Sequence, residues 1–153
     1  MGGRYLEDFA VGQTFGSGRL RVEAAAIKSF AAEFDPQSFH LDEGAARDSF
    51  FGSLAASGWH TAALTMRLLV EGDLRPAGGI IGTSLQLSWT KPVRPGDRLS
   101  ARCTVAAARP SKSRPELGIV DFAFEALNQK GEVVMTEKLI ALVKRRPEAE
   151  GAP

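Results

Sequence analysis

Before Pro76 the apolar side chains recur every three or four residues, and after it they recur every two; this change of period constrains the fold more than any other feature. In Glu23 to Phe34, the residues Ile27, Phe30, Ala31 and Phe34 follow i, i+3, i+4, i+7 and share one helical face. A second run, Ser57 to Val70, carries Trp59, Ala62, Ala63, Leu64, Met66, Leu68, Leu69 and Val70, with Arg67 as its only charge. A helix this apolar around its circumference is expected to be buried. Between the two, Asp42 is placed to cap a short helix running to Ser49.

The segment Pro76-Ala77-Gly78-Gly79 breaks the helical pattern. Beyond it Ile81, Thr83, Leu85, Leu87 and Trp89 are expected on one face of a strand, opposite Ser84, Gln86, Ser88 and Thr90. Pro95 and Gly96 suit a type II turn, since proline presets φ and glycine supplies the positive φ. Leu99 to Val105, Val120 to Ala126 and Val133 to Val143 then alternate as further strands, the last two joined by a hairpin at Asn128 to Gly131. One buried helix followed by hairpin-linked strands implies an α+β domain whose antiparallel sheet curls around that helix. The exposed edges of such a sheet call for a symmetric partner, so a homodimer is expected.

The chain has 153 residues, enough for one domain with its own core, and no Pro-, Gly- or Ser-rich linker divides it. A single unit over residues 1–145 is expected, with residues 146–153 as a disordered, proline-punctuated tail. The formal charge of +1 is too small for general attraction to nucleic acid or anionic membranes. No stretch approaches the ~20 apolar residues of a membrane span. Acids stand near the start, at Glu7 and Asp8, where a signal peptide would have its apolar core. The lone Cys103 excludes an internal disulfide framework and suits a reducing, cytoplasmic setting.

The chain has two histidines, so groups able to exchange protons near neutral pH are few. His40 follows Asp35 in Phe34-Asp35-Pro36-Gln37-Ser38-Phe39-His40-Leu41-Asp42. Pro36 disfavours helical geometry at Asp35, so the helix should end there and the chain run on extended, with both side chains able to enter one pocket. Asp35 can then fix a histidine tautomer or share with it the activation of a water. The alternative is that both are solvated loop residues, Asp35 bonding local amides. A metal cluster is not expected, because no second His stands at a helical spacing and no Cys accompanies them.

The other constellation is Phe51-Gly52-Ser53-Leu54-Ala55-Ala56-Ser57-Gly58-Trp59-His60-Thr61. Ser57 is placed as the N-cap of the buried helix and Gly58 in its first turn, where unpaired amides carry positive potential and could stabilise an oxyanion. Glycine would let a ligand approach that backbone, or else simply permit tight packing. His60, on an apolar helix, reads as a hydrogen-bonded core or interface histidine as readily as a binding residue. Serine-nucleophile, phosphate-loop and dinucleotide fingerprints are missing.

In this order, the motif around Asp35 and His40, Ala45-Ala46, Phe51-Gly52, Ala55-Ala56-Ser57-Gly58 and Pro92-Val93-Arg94-Pro95-Gly96-Asp97 resemble the MaoC-like dehydratases, which include (R)-specific enoyl-CoA hydratases. The resemblance runs from about Tyr5 to Lys144. It implies a hot-dog fold, a homodimer or dimer of dimers, and an acyl-CoA thioester lying along the subunit interface, with no cofactor beyond the coenzyme A of the substrate. It implies that Asp35 and His40 act on one water, which adds to the β-carbon of a trans-2-enoyl-CoA while the α-carbon is protonated, and that the Gly58 amide holds the thioester oxygen. Three residues in two motifs depart from the pattern. Many members have Asn-Pro before the histidine where this chain has Gln37-Ser38, and many have His before the glycine where this chain has Ser57. Other readings of the same scaffold are a thioesterase and a non-catalytic acyl-CoA binding module. Lys91, Arg94 and Arg98 are candidates for a CoA phosphate site, or else solubilising charges.

Overall fold

Both periods are realised, as a helix layer on a sheet. In the computed structural model, which describes residues 2–148, the chain forms β1 (Thr14–Arg21), α1 (Ala24–Phe34), α2 (Ser38–Leu41), α3 (Glu43–Arg47), α4 (Gly58–Glu71), β2 (Ile81–Trp89), β3 (Arg98–Pro110), β4 (Leu117–Leu127) and β5 (Val133–Lys144). The strands make one five-stranded antiparallel sheet in the order β1-β3-β4-β5-β2, so β1 and β2 are its edges. With α4 packed on one face, closest to β1 and β3, this is the hot-dog fold. The core is the helix-facing set of the alternating strands: Leu99, Ala101, Cys103 and Val105 on β3, Val120, Phe122, Phe124 and Ala126 on β4, and Met135, Leu139, Ala141 and Val143 on β5.

Local chemistry sets the joints. Asp42 caps α3 by accepting the Ala45 N–H at 2.8 Å. Gly96 takes φ +88° in the turn before β3, and Gly131 takes φ +73° in the β4–β5 hairpin, where the Asn128 side chain accepts two backbone amides.

Three expectations are corrected. The first strand, β1, has no counterpart in the sequence reading: Gly16 and Gly18 dilute its alternation, and its pairing with β3 shifts register between Gly16 and Arg19. In β2 a second shift, between Gly82 and Ser84, moves Ile81 to the face opposite Leu85, Leu87 and Trp89, so the five residues do not share one side. Helix α4 is buried on one side only. It turns His60, Thr61, Thr65, Leu68 and Leu69 inward and leaves Trp59 and Val70 each 59% exposed, because a single sheet covers one face of a helix. The inward threonine Thr65 is satisfied within the helix, donating to the Thr61 carbonyl at 2.7 Å.

The tail expected from residue 146 starts with an anchored residue. Arg146 donates its backbone N–H to Glu7 Oε1 at 2.8 Å, and its guanidinium pairs with Asp8 and lies over the Tyr5 ring. Residues 149–153 of that expectation lie outside the described residues.

Candidate active site

Helix α1 ends at Phe34 because Pro36 has no N–H and disfavours a helical Asp35. Asp35 caps the helix at φ −152°, ψ 67°, and the extended Gln37 leads into the single turn α2, rather than the fully extended run expected, which carries His40. That turn brings His40 Nε2 within 3.3 Å of Asp35 Oδ2. The imidazole is 3% exposed and its Nδ1 lies 2.6 Å from the Ala55 carbonyl oxygen. A carbonyl can only accept, so Nδ1 carries its hydrogen and Nε2 is the ring position free to gain or lose a proton beside Asp35.

Asp35 has a donor on each oxygen. The Gln37 side-chain amide donates to Oδ1 at 2.6 Å, and the Ser57 hydroxyl donates to Oδ2 at 2.7 Å. Burial works to raise its pKa, but the Ser57 and Gln37 bonds and the nearby His40 prevail and hold the carboxyl below its ordinary value. Ser57 is also the cap of α4, accepting the Trp59 N–H at 3.3 Å. Being 0% exposed and not among the residues lining the adjoining cleft, it meets the carboxylate and not the space where the expected substrate contact would lie.

Asp35, His40 and Gly58 line one cleft of about 670 Å³ walled by Phe39, Phe51, Trp59 and Trp89. The aromatic walls hold the imidazole: Phe39 meets His40 edge-on at 4.5 Å, and Phe51 lies 5.9 Å away. The Gly58 N–H, at the positive end of the fourteen-residue α4, takes no protein acceptor among the described residues. A carboxylate, an imidazole and a free helix-terminal amide at one apolar cleft are able to position a water, move its proton and stabilise a developing oxyanion.

Of the two reasons weighed for this glycine, the structure shows tight packing. A Cβ on Gly58 would stand 2.7 Å from Cε2 of Trp89, so it is the indole, not a ligand, that makes the close approach. His60 is not among the residues lining the cleft. It stacks on Phe30 at 4.6 Å, its Nδ1 finds no partner among the described residues, and burial lowers its pKa. Arg94, weighed as a phosphate contact, gives its guanidinium to the Phe51 and Ser53 carbonyls and the Ser53 hydroxyl at 2.7–2.8 Å, fixing the loop that bears Phe51. Phe39 and Phe51 stand inside the two motifs without an assigned role, and Trp89 reads from sequence as a strand residue, so the aromatic walls are not identified by the sequence. No group of three His, Cys, Asp or Glu able to hold a metal ion occurs among the described residues.

Comparison with known proteins agrees with this fold. Residues 8–121 match the family described as MaoC like domain. The crystal structure of the MaoC-like dehydratase from Rhodospirillum rubrum is 61% identical, with a TM-score of 0.92 over 95% of this chain and 99% of that one. Uncharacterized protein YdeM of Bacillus subtilis is 36% identical over 141 residues, 92% of this chain and 99% of its own length. The 3-hydroxybutyryl-CoA dehydratase of Methylorubrum extorquens is 29% identical over 147 residues, 95% of this chain and 88% of its own.

Proposed function

The chain belongs to the MaoC-like domain family, and from that premise we propose that it catalyses the reversible hydration of a trans-2-enoyl-CoA to a 3-hydroxyacyl-CoA. The observation that carries the reading is the meeting of Asp35 and His40, 3.3 Å apart, at the cleft that also exposes the Gly58 amide. Similarity to a 3-hydroxybutyryl-CoA dehydratase supports the reaction class. In the hydration direction, a water held by Asp35 and His40 at the cleft loses a proton to the pair as its oxygen bonds the β-carbon. The α-carbon takes a proton from the same pair, so one water is added in sum. The negative charge that gathers on the thioester oxygen is met by the Gly58 N–H. The aromatic walls supply an apolar seat for the acyl group.

The same reading includes a homodimer, or a dimer of dimers, in the cytoplasm. Trp59 and Val70 on α4, with Ile81, Leu85 and Trp89 on the edge strand β2, leave more large apolar side chains exposed than an isolated chain favours. No helix among the described residues is long and apolar enough to cross a membrane.

A panel of enoyl-CoA esters tests the reaction. Loss of the conjugated enoyl absorbance without release of free thiol is the expected result. Thiol release would make the protein a thioesterase, and binding with neither change would make it a non-catalytic acyl-CoA module.

A further inference from the structure

Gln37 and Ser57, two of the residues that depart from the family pattern, are 20 residues apart in sequence, yet both side chains end on the same carboxylate. We infer that Ser57 and Gln37 are positioning residues that clamp Asp35, one on each oxygen, and that Ser57 ties this carboxylate to the first turn of α4.

The geometry leaves Ser57 no other role. It is fully buried, its oxygen accepts the Trp59 N–H, and its single hydrogen points to Asp35 Oδ2. One hydroxyl therefore bridges the end of α1 and the start of α4, and fixes the spacing between the carboxylate and the Gly58 amide. Gln37 completes the clamp on Oδ1 from the strand-like link between α1 and α2. A carboxylate held by a donor on each oxygen cannot swing. Protonation weakens the bonds that both donors make to the carboxylate, so the clamp also favours the charged form. The remaining titratable or charged neighbours do not compete. His40 faces Oδ2 at 3.3 Å, while Lys91 and Arg94, which line the same cleft, are engaged by Glu132 and by the Phe51 and Ser53 carbonyls.

The catalytic consequence rests on the hydration reading; the clamp itself does not. The test is a ¹³C NMR titration of the Asp35 carboxyl in the wild-type chain and in Ser57→Ala, Gln37→Ala and Ser57→Thr, read beside the pH dependence of kcat/KM. Losing one donor to a charged group should raise the Asp35 midpoint by about one pH unit. The acid limb of kcat/KM should move upward with it, kcat should fall about tenfold with KM within twofold, and Ser57→Thr should restore both. Gln37 is exposed, so Gln37→Ala keeps the test decisive even if removal of the α4 cap unfolds Ser57→Ala. A midpoint unmoved in a folded Ala variant overturns the clamp. A shifted midpoint in a protein that hydrates no enoyl thioester supports the clamp and refutes the hydration reading.

Discussion

Trp89 donates its indole N–H to the Gly58 carbonyl at 2.8 Å, joining the end of the edge strand β2 to the first turn of α4 across 31 residues of sequence. The same indole covers the Gly58 Cα so closely that no side chain fits between them. The helix start that bears the free amide is thus set from outside the helix, by a residue of the sheet edge.

Gly58→Ala should therefore act through Trp89. The new methyl would overpack the site, and the expected cost is about 1–3 kcal/mol of stability. Removing the obstacle, in Gly58→Ala with Trp89→Leu, should recover part of that loss, which thermal melts of a double-mutant cycle would measure. Strict additivity of the two changes would mean that the indole does not set the glycine requirement.

Glu137 gives the fold a pH dependence separate from the cleft. It faces the core on β5 between Leu87 and Phe124, is 4% exposed, and burial pushes its carboxyl from 4.5 to about 7. The folded chain holds this proton more tightly than the unfolded one. Its share of stability is full below pH 4.5 and is lost as the pH rises through 7. Glu137→Gln keeps the protonated shape, so it should stabilise the protein at pH 8 by up to about 3 kcal/mol and change little at pH 5. An equal effect at both pH values, in denaturant titrations, would refute the buried carboxyl as the cause.

His60 works in the opposite direction. Burial against Phe30 lowers its pKa, so the unfolded chain takes up this proton first as the pH falls below the ordinary 6.5. Stability present above that value should decline on acidification. His60→Phe retains the stack and removes the titration; its melting temperature should exceed the wild type's at pH 5 by more than at pH 8. A constant difference would show that the imidazole's charge is not involved.

The exposed apolar side chains of Trp59 and Val70 on α4 and Leu85 on β2 predict self-association. Sedimentation should find a dimer or larger species at micromolar concentration, and Leu85→Lys should shift it toward monomer. A wild-type monomer with full activity would remove the homodimer from the proposed function.

The sequence made the sheet legible where alternation is unbroken, as in β3, β4 and β5, because each strand has one buried face and side chains flip every residue. It failed at β1 and misassigned Ile81 on β2, where glycines and bulges interrupt the period. In the cleft, the four-residue link with Pro36 allowed Asp35 and His40 to meet, and the family resemblance favoured that pairing over two solvated loop residues. Trp89 could not be assigned to the cleft, and neither could the wall role of Phe51 or the loop-fixing role of Arg94. Their contacts depend on strand order and loop closure, and nothing in local spacing encodes which indole meets which glycine.

The proposed dyad makes the most demanding prediction. Asp35→Asn keeps the outline of the side chain but replaces one acceptor oxygen by an NH₂ group, which must face either the Ser57 hydroxyl or the Gln37 amide, each a donor in the wild type. It also removes the negative charge that shares a proton with His40. His40→Ala removes the other proton carrier and leaves the Ala55 carbonyl without its partner. Each change should lower hydration by at least the ~10²–10⁴-fold associated with general acid–base catalysis. Because the two groups act on one water, the double variant should be little slower than the poorer single one, whereas independent groups would multiply their losses. Thermal melts must show all three variants folded, since the His40 ring is also packed between Phe39 and Phe51. Near-normal hydration of an enoyl-CoA by either folded single variant would exclude the dyad as the proton-transfer unit.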